Sequence, residues 1–142
     1  MKTICIIDGQ GGGIGSAVIK KLKERLGETV RIVALGTNAV ATAQMLKSGA
    51  NCGASGENAI VQTSRKADVI IGAIGIVLAH AMMGEITPIM AEAVMQSPAR
   101  KFLLPLTQEN IEVVGASSMP LPHGIDILLA EHLPKYIGGT HV

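Results

Sequence analysis

Short apolar runs alternate along the chain with longer segments whose apolar residues recur at helical spacing. The runs predict β-strands, and the amphipathic segments predict helices. Strands are expected at residues 3–7, 30–35, 69–73 and 101–106. Helices are expected at residues 13–26, 38–47 and 124–133, and a further helix is expected to begin at Thr87-Pro88.

Three segments have weaker patterns. Residues 51–66 predict a helix that opens near residues 55–57. From Ile74 the apolar spacing favours a helix that continues toward Met83, and residues 111–115 form a possible further strand.

Strands that are apolar throughout are typical of a parallel sheet covered on both faces. The chain of 142 residues is long enough to bury a core of its own as a single domain. We therefore predict one Rossmann-like domain over residues 1–142, with a three-layer, doubly wound and mostly parallel α/β sheet.

Composition excludes several classes of function. Hydrophobic residues make up 48% of the chain and charged residues 16%, which favours a homo-oligomer that buries apolar surface between subunits. Phe102 and Tyr136 are the only aromatic residues and the net charge is +1, which argues against a nucleic-acid partner. The longest charge-free interior run, residues 69–84, is too short to span a membrane, and the N-terminus lacks a signal-peptide core. We expect a cytoplasmic protein with no membrane partner.

The most informative segment is a glycine-rich loop between the first strand and the first helix. Glycine lets backbone amides approach a ligand closely, and a helix N-terminus favours an anion. The loop therefore predicts a site for a small phosphate-containing ligand, formed by Gly9, Gln10, Gly11, Gly12, Gly13, Ile14, Gly15 and Ser16. The lysine that a nucleoside-triphosphate loop needs before its serine is absent, because Gly15 precedes Ser16.

The spacing of Gly9, Gly13 and Gly15 resembles the cofactor loop of short-chain dehydrogenases. This resemblance implies NAD(P) in a Rossmann fold, with Gly9, Gly13, Ile14 and Gly15 at the pyrophosphate. The second strand, however, ends without the carboxylate that usually binds the ribose. Thr37 and Asn38 follow it, and these two residues are candidates for a ribose or phosphate contact or for a simple helix cap. The Tyr-x-x-x-Lys motif of that family is absent.

Longer stretches resemble a family of small bacterial proteins, found largely in anaerobes and catalogued as a domain of unknown function. The stretches are IDGQGGGIG, ALGTNAVAT, GASGENAIV, ADVIIGAIGIV, GEITPIMAEAV and MPLP, which span nearly the full chain. The resemblance implies a Rossmann-like domain and implies no reaction.

In such a sheet, ligands bind beyond the carboxyl ends of the strands. We therefore expect four segments to converge there, at residues 9–16, 36–38, 72–75 and 106–108. Gly72 and Gly75 add a candidate backbone approach, with tight packing as the alternative. Glu57 is a candidate ribose ligand, base or helix cap, and Glu85 is a candidate site carboxylate or subunit contact.

The histidines and cysteines indicate no metal site. His80, His123, His132 and His141 lack partners at ligand spacing. We expect His80 to be a buried imidazole on an apolar helix and His123 to lie in a turn, with a loop acid–base as the alternative. Cys5 is expected to be buried, and nothing in the sequence supports a reactive thiol at Cys52.

The sequence thus predicts a small protein that binds a nucleotide, NAD(P) or a related one, through the loop after the first strand. It leaves open whether the protein is an enzyme. One alternative is a non-catalytic nucleotide sensor or regulatory module. The other is a small oligomeric enzyme acting on a phosphorylated metabolite.

Overall fold

The computed structural model describes residues 1–116 and 119–137. Five strands alternate with helices along this part of the chain. The strands are β1 (Lys2–Asp8), β2 (Val30–Gly36), β3 (Cys52–Ser55), β4 (Val69–Ala73) and β5 (Arg100–Leu104). The helices are α1 (Gly13–Leu26), α2 (Ala39–Lys47), α3 (Glu57–Ser64), α4 (Pro88–Gln96), α5 (Leu121–Ile127) and α6 (Leu133–Ile137).

The five strands form one parallel sheet in the order β3-β2-β1-β4-β5. The chain builds outward from β1 through β2 to β3, and then returns to the other side of β1 with β4 and β5. The direction of winding therefore changes between β1 and β4. Ligands of open α/β sheets bind at the carboxyl edge beside such a change.

Both faces of the sheet are covered, which confirms the predicted Rossmann-like α/β fold. In β1, Ile4 and Ile6 pack against α1, α2 and the C-terminal helices. Cys5 and Ile7 alternate with them and pack on the opposite face, against α3 and α4. This two-sided burial explains why the strands are apolar at consecutive positions.

Two of the weaker expectations need correction. Residues 51–66 contain β3 as well as α3, and the strand was missed because β3 is a short edge strand that is mostly exposed. Residues 111–116 contain no strand and instead include a turn in which Ala116 N donates to Val113 O (3.1 Å).

The predicted helix from Ile74 toward Met83 is also wrong. Only a single 3₁₀ turn, Ile74–Val77, forms there. His80, Met82 and Met83 have φ values of 72°, 59° and 55°, which a right-handed helix excludes. The apolar spacing instead reflects a packed loop, because Ile76, Ala81 and Ile86 are buried in the core.

The closing helix differs from the expected residues 124–133 at both ends. It begins at Leu121 and continues through Pro134 to Ile137, with a π-helical turn at Leu128–His132. A proline ring clashes with the carbonyl four residues earlier in a regular α-helix. For Pro134 that residue is Ala130, which lies within the wider π turn, and the wider turn relieves the clash.

Candidate functional site

The glycine loop is a tight turn that leads from β1 into α1. Gly12 N donates to Gly9 O (2.9 Å), and Ser16 N donates to Gly12 O (2.9 Å) as the first helical hydrogen bond. Gly12 has a φ of 76°, and a Cβ there would lie 2.8 Å from Ala41 O of α2. Glycine at position 12 therefore satisfies a backbone and a packing requirement together.

The five glycines of the loop divide into two groups. Gly9, Gly12 and Gly15 are buried, and a Cβ at any of them would meet neighbouring atoms at 2.8 Å or less. Gly11 and Gly13 are exposed, and a Cβ at either would meet nothing within 4 Å. Packing thus explains the buried glycines, whereas it does not explain the two exposed ones.

A buried carboxylate, Asp8, lies beneath the loop. Its two oxygens accept hydrogen bonds from Gly9 N (2.8 Å) and Gly15 N (2.7 Å), and the side chain is 5% exposed. Burial raises the pKa of Asp8, and the nearby Glu85 charge raises it further, while hydrogen bonds from the amides of Gly15, Gly9 and Ile14 oppose the shift. Asp8 therefore occupies part of the anion-binding capacity of the α1 N-terminus.

A second carboxylate reaches the loop from the connection between β4 and α4. Glu85 Oε1 accepts hydrogen bonds from Gln10 N (2.8 Å), Thr37 Oγ1 (2.5 Å) and Asn38 Nδ2 (3.0 Å). Burial, the largest influence, acts to raise the pKa of Glu85, but these three donors together outweigh it and lower the pKa. The structure therefore brings Glu85 to the ends of β1 and β2.

Thr37 and Asn38 lie together at the carboxyl end of β2. Thr37 N donates to Asp8 O (3.0 Å), which joins the ends of β1 and β2. Asn38 caps α2 by accepting from Ala41 N (2.9 Å), and its Nδ2 also donates to Gln10 O (3.0 Å). Asn38 is thus a helix cap that also links the glycine loop to Glu85.

An open cleft of about 350 Å³ lies beside the loop at the carboxyl ends of β1 and β4. Of the predicted residues it brings together Gln10, Ile14 and Gly75 with Leu106, Thr107 and Gln108. The remaining lining residues are Asp8, Ala73, Met82, Glu109 and Leu121. Two carboxylates face this cleft, and none of the described residues that line it is a lysine, an arginine or a histidine.

Other predicted residues lie outside the cleft lining. Gly72 is buried in β4, where a Cβ would lie 2.8 Å from Ile7 O, so its role is packing. Ser16 lies one turn into α1, and its Oγ is buried without a hydrogen-bond partner among the described residues. Glu57 begins α3 and accepts from Thr87 Oγ1 (2.6 Å), which joins the starts of α3 and α4.

The histidines and cysteines need two corrections. His80 is exposed in a turn rather than buried on a helix, because the segment around it is left-handed. His123 lies in α5, and is exposed there rather than in a turn. Cys5 is buried as expected, and burial raises its pKa to about 12. Cys52 is half-buried beside Arg31, whose guanidinium donates to Sγ (3.2 Å).

No cluster suited to a metal ion occurs within residues 1–116 and 119–137, and His141 lies outside these ranges. Within the same residues, no helix has the length and hydropathy required to cross a bilayer.

The sequence interpretation missed Asp8, Met82 and Glu109. Asp8 could have been found, because an acidic residue at the carboxyl end of a buried strand and directly before a glycine loop must lie at the loop. Glu109 follows the predicted segment 106–108 by one residue, and its Oε2 accepts from Met82 N (3.4 Å). The position of Met82 depends on a left-handed turn that the apolar spacing does not indicate.

The all-parallel sheet with helices on both faces, and the loop that joins its central strand to α1, define a Rossmann-like α/β domain. The chain belongs to a family described as a domain of unknown function (DUF3842), whose model matches residues 3–136. A search of the curated proteins finds no match.

Two solved structures have a similar fold. One is apo saccharopine dehydrogenase (L-Glu forming) from Saccharomyces cerevisiae, at 15% identity and a TM-score of 0.47 over 74% of this chain and 23% of that chain. The other is a dodecameric FMN-dependent Ubix-like decarboxylase from Escherichia coli O157:H7, at 16% identity and a TM-score of 0.46 over 91% of this chain and 74% of that chain. The chain spans less than a quarter of the dehydrogenase, and at these identities the likeness concerns the fold alone.

Proposed function

We propose that this chain binds a nucleotide, NAD(P) or a related one, with its phosphate on the glycine loop after β1. The observation that carries the proposal is the cleft of about 350 Å³ at the change of winding between β1 and β4, with Gln10 and Ile14 of the loop in its wall. Small-molecule sites are clefts of roughly 300–1,000 Å³, and this fold places them at that edge.

The outer side of the loop is suited to the phosphate. The amides of Gly11 and Gly13 have no hydrogen-bond partner among the described residues, and open space surrounds both glycines. Gly13 begins α1, so the positive end of the helix dipole adds to the attraction of an anion.

Charge favours a different group inside the cleft. Asp8 and Glu109 line it, and none of its described lining residues is basic. A phosphate there would meet like charge, whereas a neutral or cationic group would not. The oxidised nicotinamide ring is cationic, and the residues present therefore fit NAD, with phosphate on the outer side of the loop and the ring in the cleft. The bound cofactor would supply hydride-transfer chemistry.

A substitution at Gly13 tests the assignment without a packing defect. Because a Cβ at Gly13 meets nothing within 4 Å, Gly13→Val is expected to fold while its side chain blocks the approach of a phosphate. Thermal unfolding is measured with NAD, NADP, FMN and AMP, and Ala43→Val on the exposed side of α2 is the control. A ligand at 100 times its Kd adds about 2.7 kcal/mol, or a Tm rise of roughly 5–10 °C.

The expected result is a Tm rise for the wild type and for Ala43→Val, and none for Gly13→Val. If Gly13→Val binds the same nucleotide with unchanged affinity in calorimetry, the loop is not the phosphate site. If no nucleotide shifts the wild type, the proposal as a whole is wrong.

The buried carboxyl of Asp8 favours a second candidate, a small enzyme that acts on a phosphorylated metabolite. Its pKa is raised, chiefly by burial, and it faces the cleft, so it is placed to exchange a proton with a ligand there. A non-catalytic sensor would use the same loop and give binding without turnover. Self-association, inferred from the low charge fraction, and a cytoplasmic location both stay predictions.

A further inference from the structure

The Glu85 carboxylate lies at the end of β2, where the strand's own sequence has no acidic residue. Residues 35–38, at the end of β2, contain no acidic side chain. Glu85 nevertheless lies there, since Thr37 Oγ1 and Asn38 Nδ2 donate to its Oε1 at 2.5 and 3.0 Å. Gln10 N, from the glycine loop, donates to the same oxygen at 2.8 Å.

Only one oxygen of this carboxylate is engaged. The three donors converge on Oε1, and Oε2 accepts no hydrogen bond from any described residue. The side chain is half-buried, so Oε2 keeps its acceptor capacity at a surface that solvent or a ligand can reach.

In nucleotide-binding sheets of this class, a carboxylate at the end of the second strand accepts the ribose 2′-hydroxyl, whereas a basic residue accommodates a 2′-phosphate. We propose that Glu85 is the specificity-determining residue of the nucleotide site, and that its Oε2 accepts the ribose 2′-hydroxyl and rejects a 2′-phosphate. The ligand class is therefore a nucleotide with a free 2′-hydroxyl. The inference rests on the proposed nucleotide function and specifies it further.

The position of Glu85 is set by packing on both sides. A Cβ at Gly9 would lie 2.8 Å from Glu85 Oε1 and 2.8 Å from Met82 Sδ, so the glycine permits the close approach of this segment. Glu85 N donates to Met82 O (3.1 Å), and the next residue, Ile86, is fully buried. A carboxylate held in this way is pre-organised for a hydroxyl partner.

The charge of Glu85 also favours a free 2′-hydroxyl over a 2′-phosphate. The three donors lower the pKa of Glu85 despite its burial, so it is ionised at neutral pH. Among the described residues no lysine or arginine pairs with Glu85. A 2′-phosphate would therefore meet a fixed negative charge with no neighbouring cation, and this repulsion discriminates between two otherwise identical ligands.

NAD and NADP test the proposal directly, because they differ only in the 2′-phosphate. Their Kd values are measured by calorimetry for the wild type, Glu85→Gln and Glu92→Gln. The amide oxygen of Glu85→Gln can still accept from Gln10 N, Thr37 and Asn38, so the fold is retained while the charge is lost. Glu92→Gln removes the same charge from an exposed position of α4 and is the matched control.

The expected wild-type preference for NAD over NADP is at least about tenfold, because a 2′-phosphate and a carboxylate in contact repel strongly. In Glu85→Gln the ratio of the Kd for NADP to the Kd for NAD falls to within about threefold, and in Glu92→Gln this ratio is unchanged. Thr37→Val, which removes one donor to Oε1, is expected to lower the ratio partially and provides a second variant.

Failure of this inference is distinguishable from failure of the proposed function. If the wild type binds both nucleotides equally, or if Glu85→Gln keeps the full preference, Glu85 does not determine specificity although the nucleotide site stands. If neither nucleotide binds the wild type, the proposed function and this inference are both overturned.

Discussion

Replacing Asp8 with asparagine is expected to destabilise the fold, because both carboxylate oxygens accept backbone N–H groups. The two hydrogen bonds, from Gly9 N and Gly15 N, measure 2.8 and 2.7 Å at a side chain that is 5% exposed. Asparagine keeps one oxygen and turns an amide NH₂ toward the other backbone N–H. A buried donor left unsatisfied costs about 1–3 kcal/mol.

Two further effects act in opposite directions. Losing the negative charge at the N-terminus of α1 costs about 0.3–1 kcal/mol. Removing a charge that burial penalises recovers part of that cost, as the raised pKa of Asp8 indicates. We therefore expect Asp8→Asn to lower the free energy of unfolding by about 1–3 kcal/mol at pH 7, or Tm by roughly 3–10 °C.

Urea denaturation followed by circular dichroism measures this change, and Asp68→Asn is the matched control. Asp68 Oδ2 accepts a single backbone bond, from Thr3 N (2.8 Å), so an asparagine there can keep that bond through its one oxygen. The control is expected to lose at most about 0.5 kcal/mol. Equal stabilities of Asp8→Asn and Asp68→Asn would refute the argument that two oxygens are required at position 8.

Two more substitutions test the contacts around the loop. Asn38→Asp keeps the cap on Ala41 N but places a second carboxylate against Glu85. Urea denaturation is expected to show that the free energy of unfolding falls by about 1–3 kcal/mol at pH 7, and that the difference from wild type shrinks below pH ~4 as the carboxylates are protonated. A difference that does not change with pH would exclude charge repulsion as the cause. Gly12→Ala places a side chain on a left-handed backbone and against the Ala41 carbonyl. We expect it to lower the free energy of unfolding by about 1–3 kcal/mol and the Tm by several degrees. Gly11→Ala places its methyl group in open space, so its Tm should stay near that of the wild type. Equal Tm values for the two alanine variants would contradict the packing role of Gly12.

The order of strands and helices could be predicted because it depends on local patterns. Consecutive apolar residues in β1, β2 and β4 follow from burial on both faces, and the helices follow from their spacing and caps. Thr87, for example, caps α4 with its side chain as the sequence indicates. The edge strand β3 has no such pattern, because an exposed strand needs no apolar alternation.

The candidate site could be predicted only in part. Its glycine loop is contiguous in sequence and is therefore visible as a motif. The contact between Gln10 and Glu85, in contrast, joins residues 75 positions apart, and it depends on a left-handed segment whose apolar residues imitate a helix. Composition and spacing contain no signal for a contact of this kind.

The origin of Glu85 outside the first β–α unit has a consequence for biosynthesis. Glu85 is the 75th residue that a ribosome adds after Gln10, so it follows Gln10 by about 4–15 s at 5–20 residues per second. During that interval the nascent chain contains the glycine loop but not the carboxylate that accepts the Gln10 N–H. A small molecule that needs both can enter only a chain whose translation has passed residue 85, so loading follows synthesis of the central strands rather than accompanying it.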